Sequence, residues 1–330
     1  ITRLSNIGNV YFFQGKYLDA LQSYEQALRR VGQTPAESWN PGRRQLVLSN
    51  LATLYQQLGQ NEKALEYYQQ AKAAGNALRP SEYAQLLSNA GTLYRRLGDP
   101  VKALQTYRAA QSLFAGEQLS DGEIHVLQNI GIAYALDLQD MDQALAAFAQ
   151  ALHLAEATDN RRETVLAHLF RGEALFRMGR VEDAGRDFSA AYAGAREIGA
   201  AEEEWTAQYG LGRVYRRKGE LPAALATFNQ ALATIESVRS ALGESSLKSE
   251  FLANKRDVYD ASIGMLLESG GADTRQLFEL FERARSRNLQ DALRARMTLP
   301  PFHELQSRLG GSVILLEYWV GSDRLAVLWV

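Results

Sequence analysis

A small residue standing three positions ahead of a tyrosine, once a leucine, returns six times along this chain, at Gly8, Ala52, Gly91, Gly131, Gly172 and Gly212. The intervals are 44, 39, 40, 41 and 40 residues. A fixed period of this size specifies units that each bury their apolar face against the next, rather than a closed globule with one central core. For a chain of 330 residues the usual length-based domain count therefore misleads, and one elongated array is expected over residues 1–240.

Within a unit the spacing is helical. Leu4, Ile7, Gly8 and Tyr11 recur at three and four residues and make the seam of a first helix, which Gly15 ends. Ala20, Tyr24 and Ala27 give a second helix a seam of its own, the alanines letting it come close while Tyr24 fills the gap. An antiparallel helical hairpin follows. Asp99-Pro100 supplies an N-cap acceptor and a ring at the first helical position; Pro222 serves a similar entry, and Ser81 after Pro80 is expected to cap a first helix. The fourth unit has an extra residue, and Leu138 stands where its turn lacks glycine.

Composition narrows function by exclusion. Thirty-six basic and 38 acidic residues leave a net charge of -2, which removes any global electrostatic case for nucleic acid or an anionic membrane. There is no cysteine, and the four histidines, His125, His153, His168 and His303, include no pair at helical spacing, so neither a metal site nor a cofactor is expected. No run of 18 apolar residues and no leader-like N-terminus occurs, which makes cytoplasmic the default expectation. The chain opens at Ile1, already inside a repeat, and reads as an excerpt of a longer protein.

Leu48, Leu51, Ala52, Tyr55, Gly59, Ala64, Tyr68 and Ala71 resemble the tetratricopeptide (TPR) signature, as do Gly91, Tyr94, Gly98, Ala103, Tyr107 and Ala110, and again Gly212, Tyr215, Gly219, Ala224, Phe228 and Ala231. The fifth unit is weaker, with Leu175 at the aromatic position and Arg171 at an apolar one. The long period is similar to that of kinesin light chains and several bacterial regulators. The resemblance implies an all-α fold, a right-handed α-solenoid of about six hairpins.

After Leu232 the pattern dissolves. Residues 245–268 and 274–297 read as two longer helices split by Ser269-Gly270-Gly271, part of a capping and linking segment over 241–298. Over 299–330 the period changes: residues 312–320 and 323–330, joined by Gly321-Ser322, carry a short β-hairpin signal. Glu282, Ala284, Arg285, Ser286, Arg287 and Leu289, followed by Leu315, Leu316, Glu317 and Tyr318, resemble the junction and first hairpin of CHAT proteins, in which a TPR array precedes a caspase-like peptidase. That resemblance implies a downstream CHAT-like domain as partner, truncated here, whose His and Cys have no counterpart in this chain.

Positions 2, 6, 9 and 13 of each unit lie about 140° to 200° from the first-helix seam. In the TPR family such a stripe lines the concave groove. Position 6 is asparagine four times running, Asn6, Asn50, Asn89 and Asn129, and an amide that both donates and accepts can pair with an extended peptide backbone. Alternatively these amides bond to neighbouring helices and set the superhelix pitch. Asn9, Thr53, Gln57, Gln85, Thr92 and Arg96 continue the stripe, and Glu173, Arg177, Arg213 and Arg217 occupy its far end. The arginines either favour an acidic partner through bidentate pairing or form a solvated face balanced by Glu202, Glu203 and Glu204. The expected function is binding of a protein or peptide in the groove, regulating or positioning the attached peptidase, with no catalysis by this chain. A scaffold or self-association module without a peptide ligand is the alternative.

Overall fold

A computed structural model describes residues 2–32, 41–73, 78–241, 255–268, 275, 277, 278, 280, 281, 316–320 and 325–329. The helices, in chain order, are α1 (Thr2–Phe13), α2 (Tyr17–Gly32), α3 (Pro41–Gln57), α4 (Asn61–Ala73), α5 (Pro80–Arg96), α6 (Pro100–Gly116), α7 (Ser120–Ile132) and α8 (Met141–Ala157). They continue with α9 (Arg161–Arg177), α10 (Val181–Ile198), α11 (Ala201–Arg217), α12 (Leu221–Ala241) and α13 (Arg256–Glu268). Two compact units divide the chain, Ile1–Ala174 and Leu175–Val330, the division falling within α9.

In the first unit each helix from α1 to α8 packs on the next, and the leading helices α1, α3, α5 and α7 also touch in succession. Glycine at the seam is what lets the paired helices approach. A Cβ on Gly8 would lie 2.4 Å from the Tyr24 ring, on Gly91 2.6 Å from Tyr107, and on Gly131 2.4 Å from Phe148. The rings lie over bare backbone and are buried, as are the flanking alanines Ala20, Ala27, Ala64, Ala71, Ala103 and Ala110.

The hairpin turns share one device. Gly59 and Gly98 take left-handed φ values of 73° and 80°, and the amide after each bonds back to the carbonyl of the position-11 tyrosine, Gln60 to Tyr55 at 2.9 Å and Asp99 to Tyr94 at 2.8 Å. The fourth unit absorbs its extra residue differently. Ala133–Leu138 widens into a π turn, Gln139 occupies the left-handed position at φ 56°, and the closing bond from Asp140 to the Tyr134 carbonyl spans one residue more, at 2.9 Å.

Two expectations need correction. Ser81 does not cap α5: the helix starts at Pro80, and Glu82 reaches back to the Arg79 amide at 3.1 Å and its guanidinium at 2.7 Å. Ile7 is not sealed in the seam but 45% exposed, whereas its equivalent Leu51 is 0% exposed, because Leu51 has the preceding hairpin packed over it. Asp99 caps α6 as expected, accepting from the Lys102 amide at 3.1 Å, with Pro100 opening the helix.

In the second unit α10 packs on α11, α11 on α12, and α12 on α13. A Cβ on Gly212 would meet the Phe228 ring at 2.5 Å, and one on Gly210 would meet Phe188 at 2.6 Å. Ala231, Leu232 and Ile235 of α12 share an apolar cluster with Val258, Tyr259, Ile263 and Leu266 of α13 and with Leu277, Leu280 and Phe281. Tyr259 also donates to Glu236 at 2.6 Å. Residues 245–254 and 282–289, which carry part of the expected linking helices and the junction motif, lie outside the described residues. Strands β1 (Leu316–Val320) and β2 (Leu325–Trp329) pair antiparallel with Tyr318 opposite Val327. Among the described residues no helix is long and apolar enough to cross a membrane.

Candidate functional site

The stripe is built from below by the aromatic at position 24. Where that residue is tyrosine, its hydroxyl emerges beside position 9 of the same hairpin and must find a partner there. The Tyr24 hydroxyl donates to Asn9 Oδ1 at 2.7 Å; Tyr68 and Thr53 hydroxyls pair at 2.9 Å, and those of Tyr107 and Thr92 at 3.0 Å. Burial pushes the Tyr24 phenol up to about 12 and raises those of Tyr68 and Tyr107, the bonds to Thr53 and Asn89 opposing the rise at Tyr68.

Position 6 of the following unit joins these pairs. Asn50 Nδ2 donates to Asn9 Oδ1 at 3.1 Å, across the repeat boundary. Asn89 interacts with the Tyr68 hydroxyl and accepts from Gln85 Nε2 at 3.0 Å. Asn50, Asn89 and Asn129 are half-buried and Asn6 is exposed, so the four amides are neither sealed among aliphatic side chains nor fully solvated. Gln57 and Arg96 stand exposed at the C-terminal ends of α3 and α5. The amides remain distributed over α1, α3, α5 and α7 rather than gathered at one point.

From the fourth unit on, position 24 is Phe148, Phe188 or Phe228, which has no hydroxyl to satisfy. Position 9 is released, and in the last hairpin it carries Arg213. The Arg213 guanidinium lies 4.2 Å from the centroid of the Phe176 ring and 5.5 Å from that of Tyr209, and Arg217 lies 5.8 Å from Phe176. Phe176, Arg213, Arg216 and Arg217 line an open cavity of about 440 Å³. Arg216 pairs with Glu268 at the end of α13. Arg177, next to Phe176, is exposed at the end of α9. Sequence spacing finds Arg213 and Arg217 but misses Phe176, Arg216 and Glu268; the available signal was the change from tyrosine to phenylalanine at position 24.

His125 has a partner that spacing did not reveal: its Nδ1 is 3.7 Å from the carboxylate of buried Glu163, which also accepts from Gln128 Nε2 at 2.9 Å. These contacts tie α7 to α9, and Asn160 adds a bond to Asp121 at 2.8 Å.

Models described as tetratricopeptide repeat match residues 1–33, 43–116, 124–158 and 162–237, well over half of the chain. The chain belongs to the tetratricopeptide-repeat family, whose repeats are typically protein-interaction modules. No curated protein matches it in sequence. Several solved structures share the fold. A kinesin light chain with nearly identical TPR-like repeats from Podosopora anserina is 19% identical, with a TM-score of 0.52 over 61% of this chain and 99% of its own. A Rap protein complexed with competence and sporulation factor is 16% identical, with a TM-score of 0.56 over 83% of this chain and 70% of its own. The tetratricopeptide-repeat sensor STAND protein from Pyrococcus horikoshii is 13% identical, with a TM-score of 0.62 over 86% of this chain and 40% of its own.

Proposed function

We propose that the chain recognises an extended segment of a protein or peptide along the asparagine stripe of its leading helices. The observation that carries this is the bond from Asn50 to Asn9, which holds one edge of the amide in place. A primary amide has two donor hydrogens and two acceptor lone pairs, so a side chain fixed by one bond keeps capacity for a ligand backbone. Holding it beforehand reduces the ordering cost of binding. Each such bond nets about 0.5 to 1.5 kcal/mol, so several in a row give weak to moderate affinity. A Rap protein of the same fold has been solved in complex with competence and sporulation factor, which supports occupancy of such an array by a partner.

The likeness of Glu282, Ala284, Arg285, Ser286, Arg287 and Leu289 and of the segment from Leu315 to a CHAT junction supports a role in regulating or positioning an attached caspase-like peptidase in the cytoplasm. Peptidase activity of the full-length protein on a quenched fluorescent peptide library, compared between wild type and Asn89→Ala or Asn129→Ala, tests it. Altered regulation in the variants is expected; identical regulation contradicts the coupling. The same Asn50–Asn9 bond also favours a second role, fixing the spacing of successive hairpins, and a scaffold would need only that.

A further inference from the structure

The first helix shows to solvent a face that its counterparts in later hairpins keep covered. Position 10 is Leu54, Leu93, Ala133 and Val214 in those hairpins, and each is buried. The cover is the second helix of the hairpin before, since α2 packs on α3, α4 on α5, α6 on α7 and α10 on α11. On α1 the same position is Val10, which is 54% exposed, and Ile7 and Phe13 beside it are exposed too. At 100° per residue Arg3, Ile7, Val10 and Gln14 fall within about 60° of one another, with Phe13 on their flank, and all five are exposed.

We infer that this face is where two copies of the chain meet, as antiparallel α1 helices related by a two-fold axis. The spacing 3, 7, 10 and 14 reads the same from either end, with gaps of four, three and four. Turning one helix end over end therefore sets Ile7 against Val10 of the second copy and Arg3 against Gln14 of the second copy, each contact occurring twice, as an isologous interface requires. Charge selects the same arrangement. A parallel pair would put the two Arg3 side chains together, whereas the antiparallel pair separates them by about 16 Å along the axis, beyond a screening length of about 8 to 10 Å. Arg3 then comes beside the exposed Phe13 ring of the second copy, where a guanidinium is attracted. A head-to-tail stack would instead need an open second-helix face, but in the second unit Ala231, Leu232 and Ile235 of α12 are already packed against Val258, Ile263 and Leu266 of α13. A strip one helix wide and about 18 Å long buries less than the roughly 800 Å² per partner of a stable interface, so the dimer is weak and reversible. It does not depend on the asparagine stripe, and it would join two stripes in one particle.

Sedimentation velocity of the whole chain between about 5 and 500 µM tests this, with a monomer–dimer equilibrium centred near 100 µM expected. Val10→Glu should move the midpoint to concentrations at least about ten-fold higher with an unchanged circular dichroism spectrum, whereas Val101→Glu, at an exposed apolar residue on α6, should leave it in place. Because the chain has no cysteine, single thiols report the register. Under mild oxidation a mixture of Ile7→Cys and Val10→Cys chains should cross-link faster than either variant alone. A chain that stays monomeric throughout the range, association indifferent to Val10→Glu, species larger than a dimer, or no advantage for the mixture overturns the proposal. So does a monomeric chain that binds a labelled peptide of residues 61–73, the sequence of α4, in a manner abolished by Val10→Glu, because α1 would then be a seat for a helix of another segment.

Discussion

Asn50 of the second hairpin donates its side-chain amide to Asn9 of the first, the same oxygen that receives the Tyr24 hydroxyl. One short polar chain thus runs from the buried ring of one repeat to the exposed face of the next. Removing Asn9 strands a buried phenol. Asn9→Ala should cost about 1 to 3 kcal/mol in urea unfolding, and adding Tyr24→Phe should return a good part of it. Additive losses in the double variant would show that the two side chains act independently.

Gly91 offers a substitution whose sign reverses with context. Glycine to alanine inside a helix ordinarily gains about 0.5 to 1 kcal/mol, but a Cβ here would lie 2.6 Å from the Tyr107 ring. Overpacking of this kind costs about 1 to 3 kcal/mol, so Gly91→Ala should destabilise. In a Tyr107→Leu background the same change should become neutral or stabilising, as read by denaturant midpoints. A gain in the native background would contradict the close packing.

The repeat period, the small-residue seam and the Asp99 cap were legible because each follows from local spacing or from one side chain meeting the backbone beside it. What stayed hidden depends on the neighbouring hairpin. Ile7 shows the seam pattern yet is exposed, since burial at that position comes from the unit before it, as at Leu51. The extra residue of the fourth unit was visible as a count, but its accommodation as a π turn was not. The stripe residues could be ranked on a face, yet the sharing of Asn9 between Tyr24 and Asn50 joins positions 41 residues apart. Phe176 escaped notice because its meaning lies in Arg213, one hairpin on.

Gln139 sits at φ 56°, where five of the other hairpin turns place glycine. A left-handed conformation costs an ordinary residue about 1 to 2 kcal/mol, less the entropy that glycine loses on folding. Gln139→Gly should therefore stabilise by roughly 0.5 to 1 kcal/mol in thermal or urea unfolding, provided the π turn is retained. Destabilisation would mean that the Gln139 side chain contributes more than the turn geometry accounts for.

Alkaline unfolding should expose the buried tyrosines. The Tyr24 phenol is pushed by burial to about 12, so the folded state keeps its proton where the unfolded chain, near 10, has lost it. Its contribution is fully present below about pH 10 and declines as pH rises towards 12, because the unfolded state then binds fewer protons. Stability measured by urea at a series of alkaline pH values should fall over that window, and less steeply in Tyr24→Phe. Identical slopes would contradict burial as the cause.

Recognition along the leading-helix stripe is tested most directly by photo-crosslinking in cells that produce the full-length protein. A benzophenone amino acid is placed at Gln57 or Arg96 on the exposed stripe, or at Gln70 on α4 as a control away from it. Adducts from Gln57 and Arg96 that are absent from Gln70, and that disappear when Asn89→Ala and Asn129→Ala are combined, are the predicted result. Adducts formed equally from Gln70, or stripe adducts indifferent to the asparagines, would contradict it.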